Sequence, residues 1–503
     1  MLFNSFSFLV FFPIVIAVYY VIPKKCRQVW LLICSYYFYM SWNPRYALLI
    51  LFSTIITYAC GLLIDRADTP GKKKGYIAVT MVANLGILFV FKYLDFALET
   101  VADALAVVGI GITPHTFDLL LPVGISFYTF QTIGYIIDVY RQTTKAEKQF
   151  VSYALFVSFF PQLVAGPIER SSSLLSELHK MKTADLWDQE RNARGFLLML
   201  WGYFQKMVIA DRLAILVDHV YENSEMYSGS VLAVASIFFA IQIYCDFAGY
   251  TNIARGAAAI LGVKLMNNFR QPYFSKSVKE FWSRWHISLS SWFRDYLYFP
   301  LGGGRKGDIR KYINLMIVFL VSGLWHGAAY TYIAWGILHG LYRIAEELLH
   351  KGCIWWKKRK ESVVNDHRRH EKLRKQVGNA LKVIITFVLV DIAWIFFRAE
   401  TLGQALDICE RMILCKPDLS VFFNGTLFTL GLDAKDFGVA IVAVLILLIV
   451  DTMQYAGVNL YDLYRRRNVI VRTVAVYVMI FALLIWGIYG PGYDAAQFIY
   501  FQF

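Results

Sequence analysis

Residues 319–342 read FLVSGLWHGAAYTYIAWGILHGLY. No Asp, Glu, Lys or Arg occurs in these 24 residues. The run joins two apolar pieces, 313–324 and 328–341, each shorter than the roughly 20 residues of a full span and readable as a short span, a tilted helix or a re-entrant segment. It nevertheless holds His326 and His339. Ionisable groups at membrane depth are costly, so both are candidate functional residues. Gly323, Gly327 and Ala328 flank the first histidine, and Gly336 and Gly340 flank the second. Small residues there allow close approach of a helix or a substrate. The two histidines are 13 residues apart, about 220° around an unbroken helix, so they do not form the i, i+4 pair of a helical metal site. No metal site is expected.

The surrounding chain has the same character. Of 503 residues, 58% are hydrophobic and 17% charged, against about 45–50% and 25% in soluble domains. That excludes a soluble enzyme, a disordered chain and a disulfide scaffold. Apolar runs at 6–22, 46–64, 76–98, 119–140, 196–220, 231–261, 380–397, 439–453 and 471–488 are candidate spans. Shorter runs at 29–40, 151–165, 313–324 and 328–341 bring the expectation to an all-α, polytopic membrane protein. It has about 10–12 transmembrane helices plus re-entrant or amphipathic ones, in a single domain over 1–503. Core motifs fall in 119–348, a basic loop in 351–375 and C-terminal helices in 378–503.

The net charge of +14 is a topology signal, not a sign of nucleic-acid binding. Residues 351–375 alone carry ten Lys and Arg against three acids. Arg66 with Lys72–Lys74, the 141–148 segment and Arg465–Arg467 are further clusters. The positive-inside rule places all of them in the cytoplasm, beside lipid headgroups. The N-terminus then lies outside, as does 490–503. The first seven residues lack Lys and Arg, so the first apolar run reads as an uncleaved span. The seven cysteines show no C-x-x-C spacing and read as small buried hydrophobes.

Two more stretches concentrate polar residues. Asn267–Gly304 is too polar for a span and too aromatic for an exposed loop. It contains Arg284, His286, Arg294 and Asp295, and its Trp282, Trp285, Trp292, Tyr296 and Tyr298 suit a membrane interface. An amphipathic or re-entrant segment lining a pocket is expected, with Arg284 and Arg294 free either to meet an anionic substrate or to anchor at the interface. In 241–255, Asp246 sits in an apolar helix and needs a buried partner, an Arg or a hydroxyl. Residues 302–307 (GGGRKG) lack P-loop spacing and read as a flexible turn. Neither G-x-S-x-G, H-E-x-x-H nor H-x-x-x-x-D is present.

Taken together, LPVGISFYTFQTIGYIIDVYR (121–141), FFPQLVAGPIER (159–170), 244–255, 267–303 and 323–340 resemble the membrane-bound O-acyltransferase (MBOAT) family, and within it the bacterial alginate O-acetylation branch of the AlgI type. The closing FIYFQF also looks family-like. The resemblance implies a helical fold around a central tunnel. It makes His326, in Trp325-His326-Gly327, the catalytic histidine. It makes His286, 40 residues upstream, its partner. Asp246, Arg284, Arg294, Asp295 and His339 are assigned substrate-binding or supporting roles.

The implied reaction is acetyl transfer from cytoplasmic acetyl-CoA, with no resident cofactor, for O-acetylation of a cell-surface or secreted polysaccharide. An extracytoplasmic SGNH-type acetyltransferase partner is implied, as is a bacterial inner-membrane location. A neutral imidazole suits removal of the acceptor hydroxyl proton. Two alternatives compete: D-alanyl transfer from a carrier protein to teichoic acid (the DltB type), and a transporter without chemistry. The transporter would spread its buried charges over several spans and often repeat internally, whereas the polar residues here cluster between Asp246 and His339.

Overall fold

An apolar chain in an apolar solvent must satisfy its backbone hydrogen bonds internally, and helices do this within one segment. Every regular element among the described residues is helical. The computed structural model describes residues 1–117, 119–164, 166–183, 185–360 and 368–489, with backbone only for 353–360 and 368–375. The closing FIYFQF and the centre of the basic loop lie outside the described residues.

Six helices among the described residues are long and apolar enough to cross a membrane: Pro44–Arg66, Pro70–Lys92, Gly229–Ile260, Gln376–Arg398, Ala434–Tyr455 and Val469–Trp486. Phe6–Val21 and Phe150–Leu163 are shorter apolar helices. Several other expected runs lie in helices that bury polar groups. The 29–40 run lies in Arg27–Met40, which buries Arg27 and Gln28. Arg27 donates to the Met181 carbonyl at 3.2 Å and Gln28 to that of Leu178 at 2.8 Å, so Arg27 is packed inside the protein.

The chain divides into two compact units. One comprises Met1–Phe204 and Phe247–Asn267, the other Gln205–Asp246 and Asn268–Ile488. The first is held by close helix approach. A Cβ on Gly202 would lie 2.6 Å from the Gly249 carbonyl oxygen, and one on Gly256 would lie 2.4 Å from that of Gly195. These glycines, seven residues apart on each helix, form a seam that larger residues would wedge open. The unit's buried amides are linked. Gln162 Nε2 donates to Gln131 Oε1 at 2.8 Å, and Gln131 Nε2 to the Phe156 carbonyl at 2.6 Å.

In the second unit, the helices Asp308–His326 and Tyr330–Lys360 pack tightly for the same reason. A Cβ on Gly323 would lie 2.2 Å from the Tyr332 carbonyl oxygen, and one on Gly336 would lie 2.4 Å from that of Phe319. The glycines beside the histidines therefore serve helix approach. In the 302–307 turn, Asn314 Nδ2 donates to the Gly303 carbonyl at 2.8 Å. The 267–304 stretch forms short helices, Val278–Arg284 and Ile287–Phe293, followed by a π-helical turn at Arg294–Tyr298.

Candidate active site

All three histidines singled out from the sequence lie in the second unit, and all are buried. His326 is the last residue of its helix, where Gly327 turns the chain into an extended conformation. Its ring centroid lies 4.8 Å from that of Trp325, 5.0 Å from Trp335 and 5.2 Å from Phe397. Trp335 also lies 4.9 Å from His339. His339 Nδ1 accepts a hydrogen bond from Trp282 Nε1 at 3.3 Å. That bond selects the tautomer with the proton on Nε2. Rings thus run in sequence from Trp282 through His339 and Trp335 to His326.

His286 sits between two short helices with φ +42° and ψ 55°. The left-handed region is uncommon outside glycine and costs of order 1–3 kcal/mol where surrounding structure must impose it. Asn268 imposes it here: its carbonyl accepts from the Ile287 amide at 3.0 Å and its Oδ1 from the Ser288 amide at 3.3 Å. The His286 ring meets Trp325 at 5.9 Å. Trp325 therefore touches both His286 and His326. Burial pushes the His286 pKa down to about 3, because an imidazolium loses its hydration there. The ring is neutral at physiological pH.

The tryptophans expected at the membrane interface include two that are buried inside the unit, Trp285 and Trp292. Trp285 stacks on Phe281 at 5.5 Å and meets Trp394 at 5.0 Å. Of these rings, Phe281 and Trp394 in turn lie 6.3 and 6.4 Å from His339.

A cleft of about 560 Å³ opens beside this cluster. Trp282, Phe319 and Ser322 line its inner part, and Ser322 lies one turn before His326. Lys279, Arg294, Lys311 and Arg343 also line it, among apolar side chains such as Leu289, Phe293, Leu315 and Val318, with Glu347 as the one acid; none of the three histidines is among the lining residues. Lys311 is paired with Glu347, and Arg343 with Glu346. From Lys311 to His326 the helix rises about 22 Å.

The other expected site residues divide. Arg294 lines the cleft and pairs with Asp295 at 2.8 Å. Arg284 does not line it. It is bound to Glu280 at 2.7 Å and lies over the Tyr455 ring at 5.1 Å. Asp246 has an ammonium partner where an Arg or a hydroxyl was expected. Lys206 Nζ lies 2.6 Å from Asp246 and 2.7 Å from Asp211, all three buried. Lys206 belongs to the π-helical segment Phe204–Ala210. It was readable as a cation inside the apolar 196–220 run. Lys279 stands out in the sequence as one of the charges in the aromatic 267–304 stretch, whereas Lys311 and Arg343 had no comparable signal, because their meeting depends on which helices pack together. Two further buried acids sit on spans: Asp391, accepting from Ser236 at 2.5 Å, and Asp451, accepting from Tyr244 at 3.0 Å.

The chain is a helical membrane protein, and it belongs to the membrane-bound O-acyltransferase family. The family model matches residues 147–352. The chain is 38% identical over 412 residues to the probable alginate O-acetylase AlgI of Pseudomonas aeruginosa, covering 81% of this chain and 74% of that protein. It is 32% identical over 449 residues to the peptidoglycan O-acetyltransferase of Helicobacter pylori, covering 82% and 80%. Similarity to the teichoic acid D-alanyltransferase of Streptococcus thermophilus is 28% over 302 residues, covering 56% and 69%. The protein is therefore a multi-pass membrane enzyme of the acyltransferase class.

Proposed function

We propose that the protein takes an acetyl group from cytoplasmic acetyl-CoA and delivers it across the membrane for O-acetylation of a surface or secreted polysaccharide, through an extracytoplasmic partner. One observation carries the reading. A cleft lined by Lys279, Arg294, Lys311 and Arg343 among apolar side chains also takes in Trp282, the first in the line of rings that runs through His339 and Trp335 to His326. Cations suit the phosphates of a nucleotide thioester, and the narrow apolar interior suits its arm.

His326 takes the proton of the acceptor hydroxyl as its oxygen attacks the thioester carbonyl. The carbon–sulfur bond breaks, and the same proton passes to the departing thiolate. His286, neutral and fixed by Asn268, donates toward the developing oxyanion. His339, held in its Nε2–H form by Trp282, supports the reacting group. The acetyl reading is favoured over D-alanyl transfer because the acetylase relatives align over four fifths of this chain and the D-alanyltransferase over little more than half.

The test is direct. Purified protein in nanodiscs is given radiolabelled acetyl-CoA or a D-alanyl-charged carrier protein, with a small polyol as acceptor. Acetyl transfer abolished by His326→Ala is expected. D-alanyl transfer alone, or acetyl transfer that survives His326→Ala, would overturn the proposal.

A further inference from the structure

The helix Leu402–Leu414 follows the span Gln376–Arg398 after three residues, and the next span begins at Ala434. Residues 399–433 therefore lie at the opposite end of that span from the basic 351–375 segment. One face of the helix is fixed to its own unit. Gln404 Nε2 donates to the Tyr221 carbonyl at 2.7 Å, and Arg411 Nη1 to that of Ser224 at 2.9 Å. Gly229 packs so closely under it that a Cβ would lie 2.2 Å from the Arg411 carbonyl oxygen.

A second apolar face is left open. Leu402, Leu406 and Ile413 fall within about 40° of one another around the helix. Leu406 and Ile413 are 58% and 67% exposed and Leu414, at the helix end, 74%; in the loop that follows, Phe422 and Phe423 are 50% and 89% exposed. Exposed apolar patches rimmed by polar residues mark contact sites for proteins or membranes.

Charge decides between the two. A helix that rests on a bilayer carries Lys and Arg on its polar face. Residues 399–433 contain five acids and two cations, and one of those cations, Arg411, is tied to backbone carbonyls. Asp407 and Glu410 stand exposed on the polar face. We infer that this surface docks an extracytoplasmic protein segment with an apolar, cationic face. The inference rests on the handover to a partner proposed above. It also fits the position of the surface: Phe397, whose ring lies 5.2 Å from His326, precedes Leu402 by five residues.

The experiment uses the full chain with Asp407→Lys/Glu410→Lys, and separately Phe422→Ser/Phe423→Ser. Alkali-labile acetate on the exported polymer should fall at least ten-fold in cells. Acetyl-CoA turnover by the same variants in nanodiscs should stay within two-fold. A photoreactive residue at 423 should give a discrete protein adduct in cells that charge reversal abolishes. Unchanged polymer acetate, or turnover lost in parallel with it, would overturn the docking surface. So would quenching of Phe423→Trp by brominated phosphatidylcholine in nanodiscs, which identifies a lipid contact. If the unaltered chain fails to turn over acetyl-CoA, the proposed activity falls, while the adduct and its charge dependence still decide the surface.

Discussion

Gln131 and His339 are both enclosed polar side chains in apolar surroundings, one in each unit, and the protein treats them differently. Gln131 gives its amide hydrogens to a carbonyl and accepts from Gln162. His339 is ringed by Trp282, Trp335, Phe281 and Phe319. Its Nδ1 has the Trp282 donor, while its Nε2 has no hydrogen-bond partner among the described residues. Amides locked into a chain of hydrogen bonds hold a fold in one arrangement. A buried imidazole nitrogen left among rings contributes no such lock, and its burial costs free energy. The contrast separates a polar group that locks the fold from one that does not, and the proposed function gives the second its use.

That contrast is open to attack. The largest effect is expected at His326. Replacement by Ala should lower acetyl transfer about 10²–10⁴-fold, the usual worth of a general base, with thermal stability in detergent unchanged. A large fall in stability would place His326 with the structural group.

Lys206→Met should do the reverse. It leaves Asp211 and Asp246 without the ammonium that bridges them, and breaking a buried ion pair costs about 3–5 kcal/mol. Folded protein recovered by size exclusion should drop sharply, and Asp211→Asn/Asp246→Asn on the same background should restore much of it. Gln131→Leu should cost about 0.5–1.5 kcal/mol for each of its two hydrogen bonds, because Gln162 Nε2 keeps its own bond to the Phe156 carbonyl at 3.2 Å. Turnover per folded molecule should remain within two-fold.

Trp282→Phe removes one donor and keeps an aromatic ring. A few-fold lower kcat with unchanged KM is expected, corresponding to about 0.5–1.5 kcal/mol. Finally, His286 has a folded pKa of about 3, below the ordinary 6.5. The unfolded chain binds the extra proton, so stability is full above pH 6.5 and declines as pH falls from 6.5 toward 3. The slope is at most about 1.4 kcal/mol per pH unit. Melting curves at pH 6.5 and 5.5 should show this contribution as a smaller loss of stability in His286→Asn than in the unaltered chain.

Much of this architecture was legible before any coordinates. His326 and His339 stood out because a histidine is conspicuous in a run with no other charge. Asp246 stood out likewise, and its need for a counter-ion was clear. Lys206 is the instructive omission. It lies in an apolar run that was read for length alone, although an intramembrane lysine is as costly as an aspartate. Trp285 was misplaced at the interface because tryptophan enrichment looks the same whether the rings face headgroups or enclose a site.

Hydropathy and charge are sums over neighbouring residues. Membrane class, helical content and the polarity contrast between 351–375 and 399–433 were therefore determined by sequence alone. Which side chains share a surface depends on helices far apart in the chain. Only tertiary structure decided that Trp325 touches both His286 and His326, that Arg294 lines the cleft while Arg284 does not, and that Lys206 answers Asp246. Packing selects among partners that local sequence leaves equivalent, because contact energy falls away within a few ångströms and chain separation does not predict it.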